Sequence, residues 1–285
     1  MRRVIYSFYI EIPQNKLVSH HETNVKFIDH KHWLLERQRE YAKSIGVDYI
    51  HYTDSKKFIH YEEWFKANYP KISYYNIVNF YKIHLMYELA KEYDEVLYMD
   101  MDVIPVTNLN FFEEFDLSKG IAIMSGTGET QTDLDRSDTL RWTHSVRSPM
   151  AKLWNSKCML TELDVVVKEP EVFNTGIVGA RKEHLKQLAY FSNFESDLNT
   201  MAEMIDDDFY PKTISYMFGY DNETLWGVKT YQNNVPFQAL GEKWHWLMDK
   251  WSYIKEGTHF IHCISKDFDH VRKWCEKNNI HLISE

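Results

Sequence analysis

Cysteine is scarce in this 285-residue chain, with Cys158, Cys263 and Cys275 making up the whole complement. They form no CxxC pair and cannot all be bonded to one another, so a disulfide scaffold and a structural zinc site are disfavoured and a reducing compartment is the simpler reading. Positive charge is also short. With 33 Lys and Arg against 42 Asp and Glu, the formal charge is −9. That balance argues against a nucleic-acid protein, because phosphate-backbone binding needs a basic surface. An anionic ligand would therefore need a metal bridge. No apolar run is long enough to span a bilayer. The opening Met-Arg-Arg-Val-Ile-Tyr-Ser-Phe-Tyr-Ile is interrupted by Glu11 and lacks a small-residue cleavage site, so it reads as a first strand of a cytoplasmic or otherwise soluble protein. No low-complexity linker or internal repeat divides the chain.

What is present is apolar and aromatic. At 44% hydrophobic and 15% aromatic, with 9 Trp and 19 Tyr, the chain can bury a sizeable core as one domain. The patterning alternates strand and helix: a strand over 4–10, a helix over 25–45 stopped by Gly46, a strand over 47–52, and a helix over 76–93. In the last, Ile77, Phe80, Tyr81, Leu85 and Leu89 recur at helical spacing. Further strands are expected at 121–124, near 172, at 259–264 and at 281–283, with helices over 181–191, onward to 206, and over 267–277. Such alternation indicates an α/β fold. The polar, aperiodic stretch 126–148 reads as a lid or acceptor loop.

The segment Glu95-Val-Leu-Tyr-Met-Asp-Met-Asp-Val-Ile-Pro105 carries the strongest chemical signal. It places Asp100 and Asp102 after a β-type run. In an extended chain residues i and i+2 point the same way, so both carboxylates would face one cation while Met101 turns to the core. Mg²⁺ and Mn²⁺ prefer such oxygen ligands and leave positions open to phosphates. Three other Asp-x-Asp triplets, at 133–135, 206–208 and 267–269, follow no such run. A sequon, Asn222-Glu-Thr224, lies inside a candidate site motif, which disfavours its use as a glycan acceptor.

Taken in order, these segments resemble the nucleotide-sugar glycosyltransferases of GT-A fold, in the branch of glycogenin and the lipopolysaccharide galactosyltransferases. The resemblance rests on Tyr81-Lys82-Ile83, Tyr93 to Asp102, the turn Phe173-Asn174-Thr175-Gly176, the segment Gly219-Tyr-Asp-Asn-Glu-Thr-Leu-Trp226, and Phe260-Ile-His-Cys-Ile-Ser-Lys266. It departs from the family pattern where Ser265 replaces an expected glycine and where the usual Lys-Pro-Trp ending is missing. It implies one Rossmann-like domain over 1–285, with a mostly parallel sheet flanked by helices, a donor half over about 1–105 and an acceptor half over about 106–285 that returns C-terminal metal and diphosphate contacts.

The same resemblance implies Mn²⁺ or Mg²⁺ on Asp100, Asp102 and His262, with His259 as the alternate ligand. Donor contacts would come from Tyr6, Ser7, Lys82, Asp100, Asn174 and Lys266. Asp221 and Glu223 are the catalytic candidates, and Trp244, His245 and Trp246 the acceptor-binding ones. The implied reaction transfers a sugar from a UDP-sugar to a glycan hydroxyl, with retention favoured over inversion. Rival classes are a metal-dependent nucleotidyltransferase or phosphohydrolase, and a non-catalytic glycan-binding protein.

Overall fold

The computed structural model describes residues 1–11, 21–126, 149–206, 210, 218–248 and 253–280. The expected lid over 126–148 and the expected strand over 281–283 lie almost wholly outside them. Six strands make the central sheet: β1 (Arg3–Phe8), β2 (Asp48–Tyr52), β3 (Glu95–Met99), β5 (Ile121–Ser125), β6 (Phe173–Arg181) and β7 (Phe237–Ala239), in the order β2-β1-β3-β6-β5-β7. β1 pairs parallel with β2 and β3, β6 pairs antiparallel with β3 and β5, and β7 is parallel to β5. Only β6 is therefore reversed, and the mostly parallel sheet read from the sequence is what forms. A small second sheet joins β4 (Val103–Pro105), β9 (Phe260–His262) and β8 (Trp246–Leu247) in the order β4-β9-β8.

Period-two alternation sorts the central strands onto two faces. Val4, Tyr6, Val96 and Tyr98 enter one apolar cluster, whereas Ile5, Leu97 and Met99 enter another. The first face is covered by α3 (Tyr74–Leu89), which starts where the Ser73 hydroxyl accepts the Asn76 N–H at 3.1 Å. All five residues singled out by its helical spacing are buried, at about 1.5–3 kcal/mol for each fully buried large apolar side chain. The other face meets α1 (His21–Ser44) through Tyr41 and Ala42. Gly46, with φ 69°, closes α1 in the left-handed region that favours glycine.

Three local expectations are corrected. The helix α2 (Ser55–Asn68), capped by Asp54, is absent from the sequence reading. Gly176 does not sit in a turn: it lies within the nine-residue strand β6, whose pairing with β5 shifts register between Ile123 and Met124. Asp100 to Val103 is not extended either. The Val103 N–H donates to the Asp100 carbonyl at 2.9 Å, which closes a turn straight after β3.

Candidate active site

That turn sits at the carboxyl end of β3, where open α/β sheets place their ligands. Gln38, on α1, ties it down by donating from Nε2 to the carbonyls of Asp100 and Val103, both at 2.9 Å. Met101 points into a separate apolar cluster, as expected, while the two carboxylates converge on His262 at the end of β9. His262 Nε2 lies 3.4 Å from an Asp102 oxygen and 3.7 Å from an Asp100 oxygen. One ligand atom from each of Asp100, Asp102 and His262 falls within 4.8 Å of the others. Bonds of about 2.1 Å to one octahedral ion would place neighbouring ligand atoms about 3 Å apart, so this donor set fits a hard divalent cation after a small contraction. His259, the alternate, is outside the group. Its ring packs 4.7 Å from that of Trp244.

Two lysines flank the carboxylates. Lys82 is 2% exposed, so its ammonium needs compensation, and it finds Asp100 Oδ1 at 3.4 Å and the Tyr98 ring at 5.2 Å. The Tyr98 hydroxyl donates to the same Asp100 oxygen. Lys266 bonds the buried Asp102 carboxylate. Burial would raise the Asp102 pKa, but the charges of Lys266 and His262 outweigh it and hold the carboxyl well below the usual range. Lys266 also adopts φ 57°, a left-handed conformation that costs a residue with a Cβ about 1–2 kcal/mol.

Close packing explains Gly176. A Cβ there would stand 2.3 Å from His262 Cε1 and 2.7 Å from Nδ1, so the imidazole can occupy its place only against glycine. Asn174 Oδ1 accepts the Gly176 N–H at 2.9 Å. Asp221 caps the helix over Asn222–Gln232. Its Oδ2 accepts the N–H and hydroxyl of Thr224 at 2.9 and 2.8 Å, leaving Oδ1 without a hydrogen-bond partner among the described residues. Glu223 is more heavily engaged: Oε1 accepts the Thr175 N–H at 2.7 Å and Oε2 meets Lys152.

The remaining sequence candidates lie behind or beside this cluster. Tyr6 is fully buried and donates to the Lys82 carbonyl at 2.7 Å, so it fixes the helix that carries the amine. Ser7 Oγ contacts the Tyr49 hydroxyl at 2.7 Å and His51 Nδ1 at 3.0 Å, and Tyr49 donates to Gln38 at 2.9 Å. Trp244 packs its ring among Phe111, Phe115 and Phe260 in the core. His245 is 1% exposed and touches His262. Trp246 alone of the three is half-buried, its indole N–H donating to the Tyr253 carbonyl at 3.0 Å. Gln38, Tyr98 and Lys152 were not foreseen as site neighbours; Tyr98 lies within the Asp100 segment itself, whereas no local motif marks Gln38 or Lys152.

The sequence profile of glycosyl transferase family 8 matches residues 4–268, nearly the whole chain. The chain belongs to glycosyl transferase family 8. This glycosyltransferase thus has the GT-A fold and branch that the ordered motifs implied, and membership sets aside the rival phosphoryl-transfer and binding-only classes. Among solved structures it is similar to mouse xyloside xylosyltransferase 1 in its apo form, at 14% identity and TM-score 0.49 over 93% of this chain and 98% of that one. It is also similar to the galactosyltransferase LgtC in complex with donor and acceptor sugar analogues, at 8% identity and TM-score 0.49 over 99% and 98%. A third is a glycosyltransferase involved in glycosylation of the major capsid of PBCV-1, at 11% identity and TM-score 0.44 over 97% and 100%. No curated protein sequence matches. Among the described residues no helix is long and apolar enough to cross a membrane.

The hydrogen-bonded layer beneath the glycosyltransferase site sets an acid limit. Burial, with Lys31 and Arg39 nearby, lowers the His51 imidazole from 6.5 to about 4. Between those values the unfolded chain binds a proton that the folded chain does not, so acidification through pH 6.5 to 4 removes stability. The melting temperature should fall across this window, and His51→Asn, which cannot titrate, should shrink the fall. An unchanged pH slope in the variant would show that His51 does not set the limit.

Proposed function

We propose that this glycosyltransferase moves a sugar from a nucleoside diphosphate donor, a UDP-sugar, to a hydroxyl of a glycan or related acceptor, keeping the anomeric configuration. The observation that supports it is the meeting of three hard donor atoms, from Asp100, Asp102 and His262, between the ammonium groups of Lys82 and Lys266. Asp100, Asp102 and His262 would hold Mn²⁺ or Mg²⁺, which when bound acts as a Lewis acid toward the departing diphosphate. Lys82 and Lys266 add positive charge where negative charge grows as the anomeric carbon–oxygen bond breaks and the leaving group takes the electron pair. In this reading Asn174 and Asp221 bind sugar hydroxyls, and Trp246 gives the acceptor an aromatic surface. Glu223, whose Oε1 accepts from Thr175 and whose Oε2 meets Lys152, fixes Thr175 and is the second candidate base.

Product analysis tests this reading. A panel of nucleotide sugars with Mn²⁺ and simple glycan acceptors should release nucleoside diphosphate and form a glycoside that NMR shows to carry the donor's anomeric configuration. Release of pyrophosphate would overturn the reaction class, and an inverted linkage would overturn retention.

A further inference from the structure

A metal-binding imidazole must offer a lone pair on one nitrogen, which puts its proton on the other, and that second N–H needs an acceptor to fix ring and tautomer. In His262 it is Nε2 that faces Asp100 and Asp102, at 3.7 and 3.4 Å. The proton must then reside on Nδ1. There the neighbour is His245 Nε2, at 2.8 Å, in a stacked ring pair with centroids 5.1 Å apart and planes 25° from parallel. His245 is 1% exposed, and its own Nδ1 has no partner among the described residues. Leaving a buried polar nitrogen unsatisfied costs about 1–3 kcal/mol, so a histidine is a poor choice at this position if packing alone were needed.

We infer that His245 is a positioning residue for the cation site: its Nε2 accepts the His262 Nδ1 proton and thereby holds the His262 Nε2 lone pair toward Asp100 and Asp102. The inference rests on the metal-centre reading of the proposed function. Gly176 leaves room for this nitrogen, since a Cβ there would stand 2.7 Å from His262 Nδ1. In this inference His245 acts through His262, and at 1% exposure it offers no open surface to an acceptor, the role expected for it from the sequence.

Two variants separate positioning from packing. His245→Phe keeps a ring of similar shape and removes the acceptor, whereas His245→Gln can return an amide oxygen near the Nε2 position. Mn²⁺ affinity, titrated calorimetrically with UDP present, should fall about 10–100-fold in His245→Phe, the usual cost of losing such a supporting partner, and recover to within about threefold in His245→Gln. Equal losses in both variants, or none in either, would overturn the inference. Long-range ¹H–¹⁵N NMR of the unmodified protein with Mg²⁺ and UDP stands even where a variant fails to fold: the His262 proton should be on Nδ1, and a proton on Nε2 would refute the idea. Absence of Mn²⁺ binding by the unmodified protein would instead bring down the metal centre itself.

Discussion

Asp102→Asn should erase the dependence of UDP binding on Mn²⁺. The substitution keeps the size of the side chain and one hydrogen-bond acceptor but removes the charge that His262 and Lys266 both face. A cation contributes several kcal/mol of transition-state charge stabilisation, so turnover should drop about 10²–10⁴-fold. Folding should suffer less. The Lys266 side chain is 18% exposed and can turn toward solvent, which keeps the penalty below the ~3–5 kcal/mol expected when a fully buried pair is broken. Calorimetric titration of UDP with Mn²⁺ and with chelator, alongside thermal unfolding, measures both quantities. A folded Asp102→Asn protein that retained the full metal enhancement would contradict the assignment of this carboxylate.

Gly176→Ala is expected to be nearly as damaging, by a steric route. One methyl group would overlap the His262 ring at 2.3 Å, and the backbone that carries it cannot retreat easily, because the Gly176 carbonyl accepts the Asp100 N–H at 2.8 Å. The imidazole must move instead, and His262 then leaves Asp100 and Asp102. Metal-dependent UDP binding should weaken at least about tenfold, with a loss of about 1–3 kcal/mol in stability from overpacking. Gly179→Ala supplies the comparison. Its Cβ would also clash, at 2.4 Å from Phe111 Cε1, but that contact belongs to the core behind the sheet. It should cost stability while leaving Mn²⁺ affinity near that of the unmodified protein. If both alanines affected metal binding equally, the role of Gly176 would be general packing.

The candidate cation group was legible because its three residues end strongly apolar runs. Val96 to Met99 and Phe260 to Ile261 are fully buried, and burial on both faces of a strand leaves a clear sequence signature. The positions of β1, β2, β3 and β5 along the chain were read from similar runs. Local geometry was less visible. Asp100 and Asp102 share a partner through a turn held by Gln38, a tether from a helix more than sixty positions earlier in the chain, and nothing near the motif announces it. Phe173 to Gly176 looked like a turn since glycine and asparagine favour one, whereas tertiary contact with His262 selects strand. Trp244 and Trp246 show the same limit: adjacent tryptophan signals read alike, and only packing decides that one ring is in the core and the other half open. α2 escaped notice because its buried face is narrow, with Phe58, Glu62 and Phe65 as its interior residues.

The three donor atoms do not come from one sheet. Asp100 directly follows β3 of the large sheet, whereas Asp102 directly precedes β4 of the small one and His262 ends the neighbouring β9. The chain crosses the seam in the turn from Asp100 to Val103, and the Cys263 N–H donating to the Asp102 carbonyl at 2.9 Å extends the β4–β9 ladder up to that turn. A cation held by Asp100 and His262 would be a rivet between two panels. Its affinity would then report their spacing, so a substitution in β4 or β8 that slides the small panel by a fraction of an ångström should change how tightly the metal is held.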